Sequence, residues 1–192
     1  TEIYTRLVVA ASDVYKRQPY GYAATLAWLE EVGKILGQLP DVKMCARLRL
    51  KAQNTASLKM YAMMMGRKKT PQAAVIGEYD LVKGLSAFLR SVGIDVKYKL
   101  CSHSLKSIVE PELDIRYISV EKEKIDILKK LQKTLVLADD VSHRLCDSSN
   151  VVLRVSAPFI DGAQIATHLP LLGEKGTDFL LETIEAYYQT LA

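Results

Sequence analysis

The sequence predicts an α/β fold built on a parallel, Rossmann-like sheet. Residues 72–98 give the clearest support, because a short apolar run, a glycine, a helical repeat of apolar residues and a second strand follow one another there. Further apolar runs at 135–137 and 151–155 alternate with segments of helical pattern. Strands that alternate with helices are typical of parallel sheets with right-handed crossovers.

The first strand–helix–strand unit is marked by two glycines. A buried strand at 73–76 ends at Gly77, and a helix with apolar residues at helical spacing follows over about 79–92. Gly93 closes this helix, and the next strand covers 95–100. A glycine loop between a strand and a helix is where open α/β sheets place their ligands.

The rest of the chain continues the same alternation. Short strands are predicted at 115–118, 135–137 and 151–155. Helices are predicted at 23–36, 42–65, 103–109, 122–132, 139–147 and 177–190.

These patterns divide the chain into three segments. Residues 19–71 form a helical segment that links to an upstream sub-domain, and residues 72–192 form the Rossmann-like α/β domain. Residues 1–18 contain LVVAASDVYKRQ, which resembles a translated sequencing-adapter string, so we expect this segment to be non-native. The alternative is a genuine strand from Tyr4 to Ala10 followed by a loop.

Composition narrows the class of protein. The net charge of +4 is small and the basic residues are dispersed, which argues against a nucleic-acid partner. No apolar run approaches the ~18 residues that span a bilayer, so no membrane partner is expected. The chain has three cysteines without framework spacing, which favours a reducing compartment and a cytoplasmic location.

The first candidate binding loop follows the first strand of the sheet. Gly77 permits close backbone approach, and Glu78, Tyr79 and Asp80 open a helix whose free N–H groups and dipole can face a ligand. The alternative is structural: Gly77 makes a tight turn, and Asp80 only balances the helix dipole.

Two further candidate loops follow later strands. Asp139 and Asp140 lie after the strand at 135–137, although helix capping explains two acids at this position equally well. Asp161 and Gly162 lie shortly after the last predicted strand. All three loops are predicted to contribute to cofactor binding.

The cysteines and histidines do not predict a metal site in this chain. Cys101 and His103 could combine with His143 and Cys146, but their spacing is poor for structural zinc and the pairs lie on different units. No Walker loop, G-x-G-x-x-G, G-x-S-x-G or H-E-x-x-H motif is present.

Two stretches of the chain, which carry three motifs, together resemble the nitrogenase component 1-type oxidoreductases. The family's G-[ED]-x-D-L-V-x-G-L-x-x-F-L-x-x-x-G unit is matched at 77–93. Its strand running into a Pro-Phe turn is matched at 151–159, and its P-L-x-G-x-x-G helix start is matched at 170–176. A weaker likeness to P-x-G-x-x-A-T-x-x-F-L begins at Pro19, and the resemblance extends over 19–192.

The resemblance implies a redox function for the intact protein. The chain would be the C-terminal part of a subunit that pairs with a homologous subunit and receives electrons from an ATP-dependent iron–sulfur reductase. In nitrogenase proteins the loop that matches Gly77–Asp80 lies against the active-site cluster. The family's cluster-binding cysteines come from an N-terminal region, so the ligands of an iron–sulfur cluster or related metallocluster are expected upstream, and this fragment alone is expected to be inactive.

Two departures from the family pattern keep other functions open. Ala138-Asp139-Asp140 replaces a glycine–asparagine or glycine–serine turn of many members. The cofactor-ligating histidine of the nitrogenase α subunit has no counterpart, because residues 161–164 read Asp-Gly-Ala-Gln. The alternatives are a non-catalytic scaffold that assembles a metallocluster, and a small-ligand-binding doubly wound domain.

Overall fold

The computed structural model describes residues 18–64, 71–102, 104, 112–158, 160 and 171–191. The strands in these ranges are β1 (Gln72–Gly77), β2 (Asp95–Cys101), β3 (Arg116–Tyr117), β4 (Leu135–Ala138) and β5 (Val151–Arg154). The helices are α1 (Tyr22–Leu36), α2 (Val42–Met64), α3 (Tyr79–Ser91), α4 (Glu121–Leu128), α5 (Asp140–Leu145) and α6 (Gly173–Thr190).

The strands form one five-stranded parallel sheet in the order β3-β2-β1-β4-β5. The predicted α/β class and parallel sheet are therefore confirmed. The central strand β1 pairs with β2 on one side and with β4 on the other. The chain adds β2 and β3 on one side of β1 and later adds β4 and β5 on the other side. This reversal creates a topological switch point between β1 and β4.

Helices cover both faces of the sheet. On one face, side chains of α3 and α6 pack against alternate residues of β1 and β4, including Ala73, Val75 and Leu137. On the other face, Leu128 and Leu131 pack against Ala74, together with the neighbouring apolar residues of β4. Burial on both faces explains why β1 and β4 are continuous apolar runs.

The start of α1 fits closely against α3. A Cβ built on Gly84 would lie 2.4 Å from Cδ2 of Tyr20, and one on Gly21 would lie 2.7 Å from Cδ2 of Phe88. Only glycines allow this approach of a helix to the preceding chain, because neither aromatic ring has room for a methyl group beside it.

Charged contacts join α1 and α2 to the last helix. Arg47 binds Glu174 through two guanidinium nitrogens, and Lys51 donates to Asp178 at 2.8 Å. The Tyr22 hydroxyl donates to the same Asp178 carboxylate. Residues 22–51 are thereby joined to α6 through several side chains.

Some element ends differ from the prediction. Helix α6 begins at Gly173 and not at Thr177, because Gly173 has a positive φ of 72° and lets the chain turn directly into the helix. Helix α4 ends at Leu128 and not near residue 132. The helix predicted at 103–109 falls largely outside the described residues.

Across the described ranges, the helices are too short or too polar to cross a membrane.

Candidate functional site

The carboxyl ends of β1 and β4 lie side by side at the switch point of the sheet. The register pairs Val75 with Leu137, so Gly77 and Asp139 each follow two residues later on neighbouring strands. The structure therefore brings two of the three predicted loops to one edge of the sheet. Open α/β sheets bind ligands in the crevice at this position.

Two serines surround the end of β1. The Ser102 amide donates to the Gly77 carbonyl at 2.9 Å, and Ser156 Oγ lies 3.4 Å from the Ile76 carbonyl oxygen. A Cβ built on Gly77 would lie 3.1 Å from Leu81 Cδ2 and 3.4 Å from Ser156 Cβ. Glycine thus keeps the end of β1 close to the residues that follow β5.

The sequence analysis missed Ser102 and Ser156. Ser102 directly follows β2 and Ser156 lies two residues after β5, whereas Gly77 is the last residue of β1. That position after a strand is the signal that could have identified them, because parallel strands end at the same edge of the sheet.

The N-terminus of α3 has no side-chain cap. Glu78 occupies the cap position with an extended backbone, but its carboxylate accepts no hydrogen bond from the first turn. The Glu78 side chain is exposed. The first-turn N–H groups of a helix have no partner within the helix, so this helix start offers donors to a ligand.

Asp139, in contrast, is bound by side chain and backbone donors from its own helix and from α4. Its Oδ1 accepts from the Ser142 amide at 2.8 Å, and its Oδ2 accepts from Lys124 Nζ at 2.8 Å. Burial raises the pKa of Asp139, but the hydrogen bonds from Lys124 and Ser142 outweigh it and hold the pKa below its usual value. The predicted N-cap is confirmed.

Asp140 also has structural partners. Only 2% of Asp140 is exposed, and its Oδ1 lies 2.7 Å from Nε of Arg154 on β5. Its Oδ2 accepts from the Ile160 amide at 2.6 Å. Asp140 therefore ties α5 to the segment that follows β5.

Tyr79 and Asp80 both lie in the first turn of α3. The Tyr79 hydroxyl accepts from the Glu112 amide at 3.0 Å, and Lys83 Nζ lies 5.8 Å from the centre of the Tyr79 ring. Asp80 lines a pocket between α1 and α3, beside Tyr20. Asp161 and Gly162, the third predicted loop, lie outside the described residues.

The described residues contain no group of three or more side chains that could hold a metal ion. Cys45 and Cys101 are buried free thiols. Burial, and secondarily the nearby Asp139 carboxylate, raise the pKa of Cys146 to about 11, which keeps this thiol protonated at neutral pH. Iron–sulfur clusters need thiolates, so the protonated Cys146 is a poor ligand.

A comparison with protein-family models identifies the family of this chain. The model for nitrogenase component 1 type oxidoreductases matches residues 11–188. The chain belongs to the nitrogenase component 1 type oxidoreductase family. A comparison with curated proteins finds no match.

Membership of the nitrogenase component 1 type family confirms the resemblance carried by the motifs at 77–93 and 170–176. It covers both loops that the structure places at the switch point, Gly77–Asp80 and Asp139–Asp140. The cofactor-binding roles of these residues remain predictions.

Proposed function

We propose that this chain is the C-terminal part of a nitrogenase component 1-like oxidoreductase subunit. It would form one wall of a metallocluster or substrate cavity, beside a homologous subunit, in the cytoplasm. Electrons would come from an ATP-dependent iron–sulfur reductase. The observation that carries the proposal is the uncapped start of α3 at the switch point, within a chain that belongs to this family.

The two loops at this edge have different roles in the proposal. The Gly77 loop offers backbone N–H groups, because no side chain caps α3. The Asp139 loop would have a structural role beside the site, because Asp139 and Asp140 already form ion pairs with Lys124 and Arg154. Ligand contact is therefore assigned to Gly77 and the first turn of α3.

The described residues do not fit an iron–sulfur cluster as its ligands. They contain no metal-binding group, and Cys146 has a raised pKa. No electron-transfer step is derived through side chains of this chain. In the intact protein, the ligands would come from the upstream region.

A non-catalytic scaffold for metallocluster assembly is the second candidate. It is favoured by residues 161–164, which lack the histidine that ligates the cofactor in the nitrogenase α subunit. A scaffold would bind a cluster and release it to an acceptor protein, whereas a reductase would turn over substrate.

The test uses the intact subunit, expressed from its native reading frame together with its partner subunit. Iron content and electron paramagnetic resonance would report a bound cluster, and reduction driven by the ATP-dependent reductase would report electron delivery. We expect both signals. A bound cluster that is transferred to an acceptor without reductase-dependent turnover would favour the scaffold, and the absence of iron would overturn both proposals.

A variant tests the assignment to the Gly77 loop. Gly77→Ala places a methyl group 3.1 Å from Leu81 Cδ2, which shifts the loop. We expect about tenfold lower turnover with unchanged iron content, because a small displacement of a positioning group is costly. Ala46→Val adds bulk on the exposed face of α2 and is the control. Equal activity of the two variants would contradict the assignment.

A further inference from the structure

A pocket lies between α1 and α3 and reaches the first turn of α3 through Asp80. Its volume is about 240 Å³. Small side chains at Ala24, Ala27, Gly84 and Ala87 line its walls and leave the space between the two helices. The pocket is smaller than the ~300 Å³ at which drug-sized sites begin, so it suits a small ligand.

One hydroxyl lines this pocket. It belongs to Tyr20, whose side chain is largely buried, with 8% of the residue exposed. Within the part of the chain that the structure describes, this hydroxyl forms no hydrogen bond, so it can face a ligand in the pocket. Burial, and secondarily the Asp80 and Glu78 carboxylates, raise the pKa of Tyr20 to about 12, so the hydroxyl stays protonated.

The charge of the pocket is negative. Lys83 Nζ lies 3.6 Å from Glu112 Oε1, so these two lining residues offset each other. Asp80, which also lines the pocket, forms no ion pair with another described residue. An unneutralised carboxylate in a narrow, partly apolar space favours a cation.

An aromatic ring completes the lining. Trp28, the only tryptophan of the chain, faces the same space from α1. Tryptophan is the side chain that binds organic cations best through its ring face. Carboxylate, hydroxyl and indole together make a recognition set for an ammonium group attached to a small apolar body.

We propose that the pocket between α1 and α3 binds a small organic cation. The Asp80 carboxylate accepts from its ammonium group, the Tyr20 hydroxyl accepts a second hydrogen bond from it, and the apolar body lies against Trp28. Lys83 and Glu112 pair with each other and close the rim. The proposal goes beyond the redox function and does not depend on it.

The test measures the binding of benzylammonium to the 192-residue chain. Trp28 fluorescence, excited where tyrosine does not absorb, reports the pocket directly because the chain has no other tryptophan. Benzyl alcohol has the same shape without the charge and is the matched probe. We expect saturable binding of benzylammonium that is about tenfold tighter than that of benzyl alcohol.

Variants assign the binding to the named groups. Asp80→Asn should weaken benzylammonium binding about tenfold and leave benzyl alcohol unaffected. Tyr20→Phe keeps the ring and should weaken binding severalfold. Glu121→Gln removes a first-turn acid from α4 and should change nothing. Circular dichroism checks that each variant is folded.

Three results would overturn the proposal. The first is equal affinity for benzylammonium and benzyl alcohol. The second is a loss of benzylammonium affinity in Glu121→Gln as large as that in Asp80→Asn. The third is a change in Trp28 fluorescence that does not saturate with benzylammonium concentration. If Asp80→Asn does not fold, the two probes on the unmodified chain and the Tyr20→Phe variant still decide the outcome.

Discussion

Asp139 shows how a residue that the sequence offers as a cofactor ligand can also serve the fold. Its carboxylate is 6% exposed, and both oxygens are used, by Ser142 on its own helix and by Lys124 on α4. The charge is retained because these donors compensate for the loss of water. Asp139 thereby holds the start of α5 against α4, next to the crevice at the switch point.

Removing Asp139 should destabilise the protein. Asp139→Ala deletes the helix cap and leaves Lys124 without its partner, so we expect the free energy of unfolding to fall by about 2 kcal/mol or more. Asp139→Asn should cost less, because an amide oxygen can still accept from the Ser142 N–H. Urea unfolding at neutral pH measures both values. Equal losses in the two variants would contradict a capping role.

The same carboxylate should make stability depend on pH. Its pKa in the folded protein is lowered, whereas an unfolded aspartate titrates near ~3.9. The unfolded chain therefore binds the proton first, and the stabilisation, complete above that value, is lost as pH falls through the folded pKa. The free energy of unfolding of Asp139→Asn should therefore vary less with pH in the acid range than that of the control Asp126→Asn. Parallel curves of unfolding free energy against pH for the two variants would contradict this prediction.

At the residue scale, the sequence predicted groups that act on their immediate neighbours. The Asp139 cap and the end of β1 at Gly77 are local features, and both stand where they were expected. The place of Ser156 beside β1, and the shared pocket of Tyr20 and Asp80, were missed. Their partners lie far away in the sequence, and only the packed fold brings them together.

At the scale of elements, Tyr187 joins the last helix to the sheet. The side chain is fully buried, and its hydroxyl lies 3.1 Å from the Gln72 amide and 3.0 Å from the Lys133 carbonyl oxygen. These groups belong to the start of β1 and to the turn before β4. One hydroxyl thus holds α6 against both central strands.

Tyr187→Phe tests how much this hydroxyl contributes to the stability of the fold. The ring remains, but the backbone groups at Gln72 and Lys133 lose this partner, so we expect the free energy of unfolding to fall by about 1–3 kcal/mol. Tyr188→Phe is the matched control, because its hydroxyl lies at the longer distance of 3.4 Å from the Val92 carbonyl oxygen. Urea unfolding compares the two, and a similar loss in both would contradict this role.

Element identity was predictable where apolar periodicity was strong. Strands β1 and β4 lie within a residue of the predicted ends, because strands buried on both faces require apolar runs. The start of α6 was misplaced, since Gly173-Glu174-Lys175-Gly176 has the composition of a turn. In the structure Gly176 packs directly on the Leu171 backbone, and the chain is already helical from Gly173.

At the scale of the molecule, the question is whether α1 and α2 unfold with the sheet. The sequence predicted 19–71 as a segment that links to another sub-domain. In the structure Tyr20 belongs to the main core, and Arg47 and Lys51 bind α6. These contacts favour a single cooperative unit.

Two probes of unfolding test this expectation. Trp28 fluorescence reports α1 alone, whereas circular dichroism reports all helices. We expect the two urea transitions of the 192-residue chain to coincide. A fluorescence transition at lower urea concentration than the circular dichroism transition would show that the 19–71 segment unfolds separately. In that case Glu174→Gln should move the Trp28 transition to still lower urea concentration.

The central place of β1 has a consequence for the order in which the chain acquires its structure. β2 follows β1 after one helix, whereas β4 follows only after a further strand and helix. During synthesis β1 can therefore pair on one side early, while its other, apolar edge waits for residues 135–138 to emerge. For that interval the nascent protein presents an open strand edge that another chain can capture. Pulsed hydrogen exchange during refolding should accordingly protect amides of β2 before those of β5.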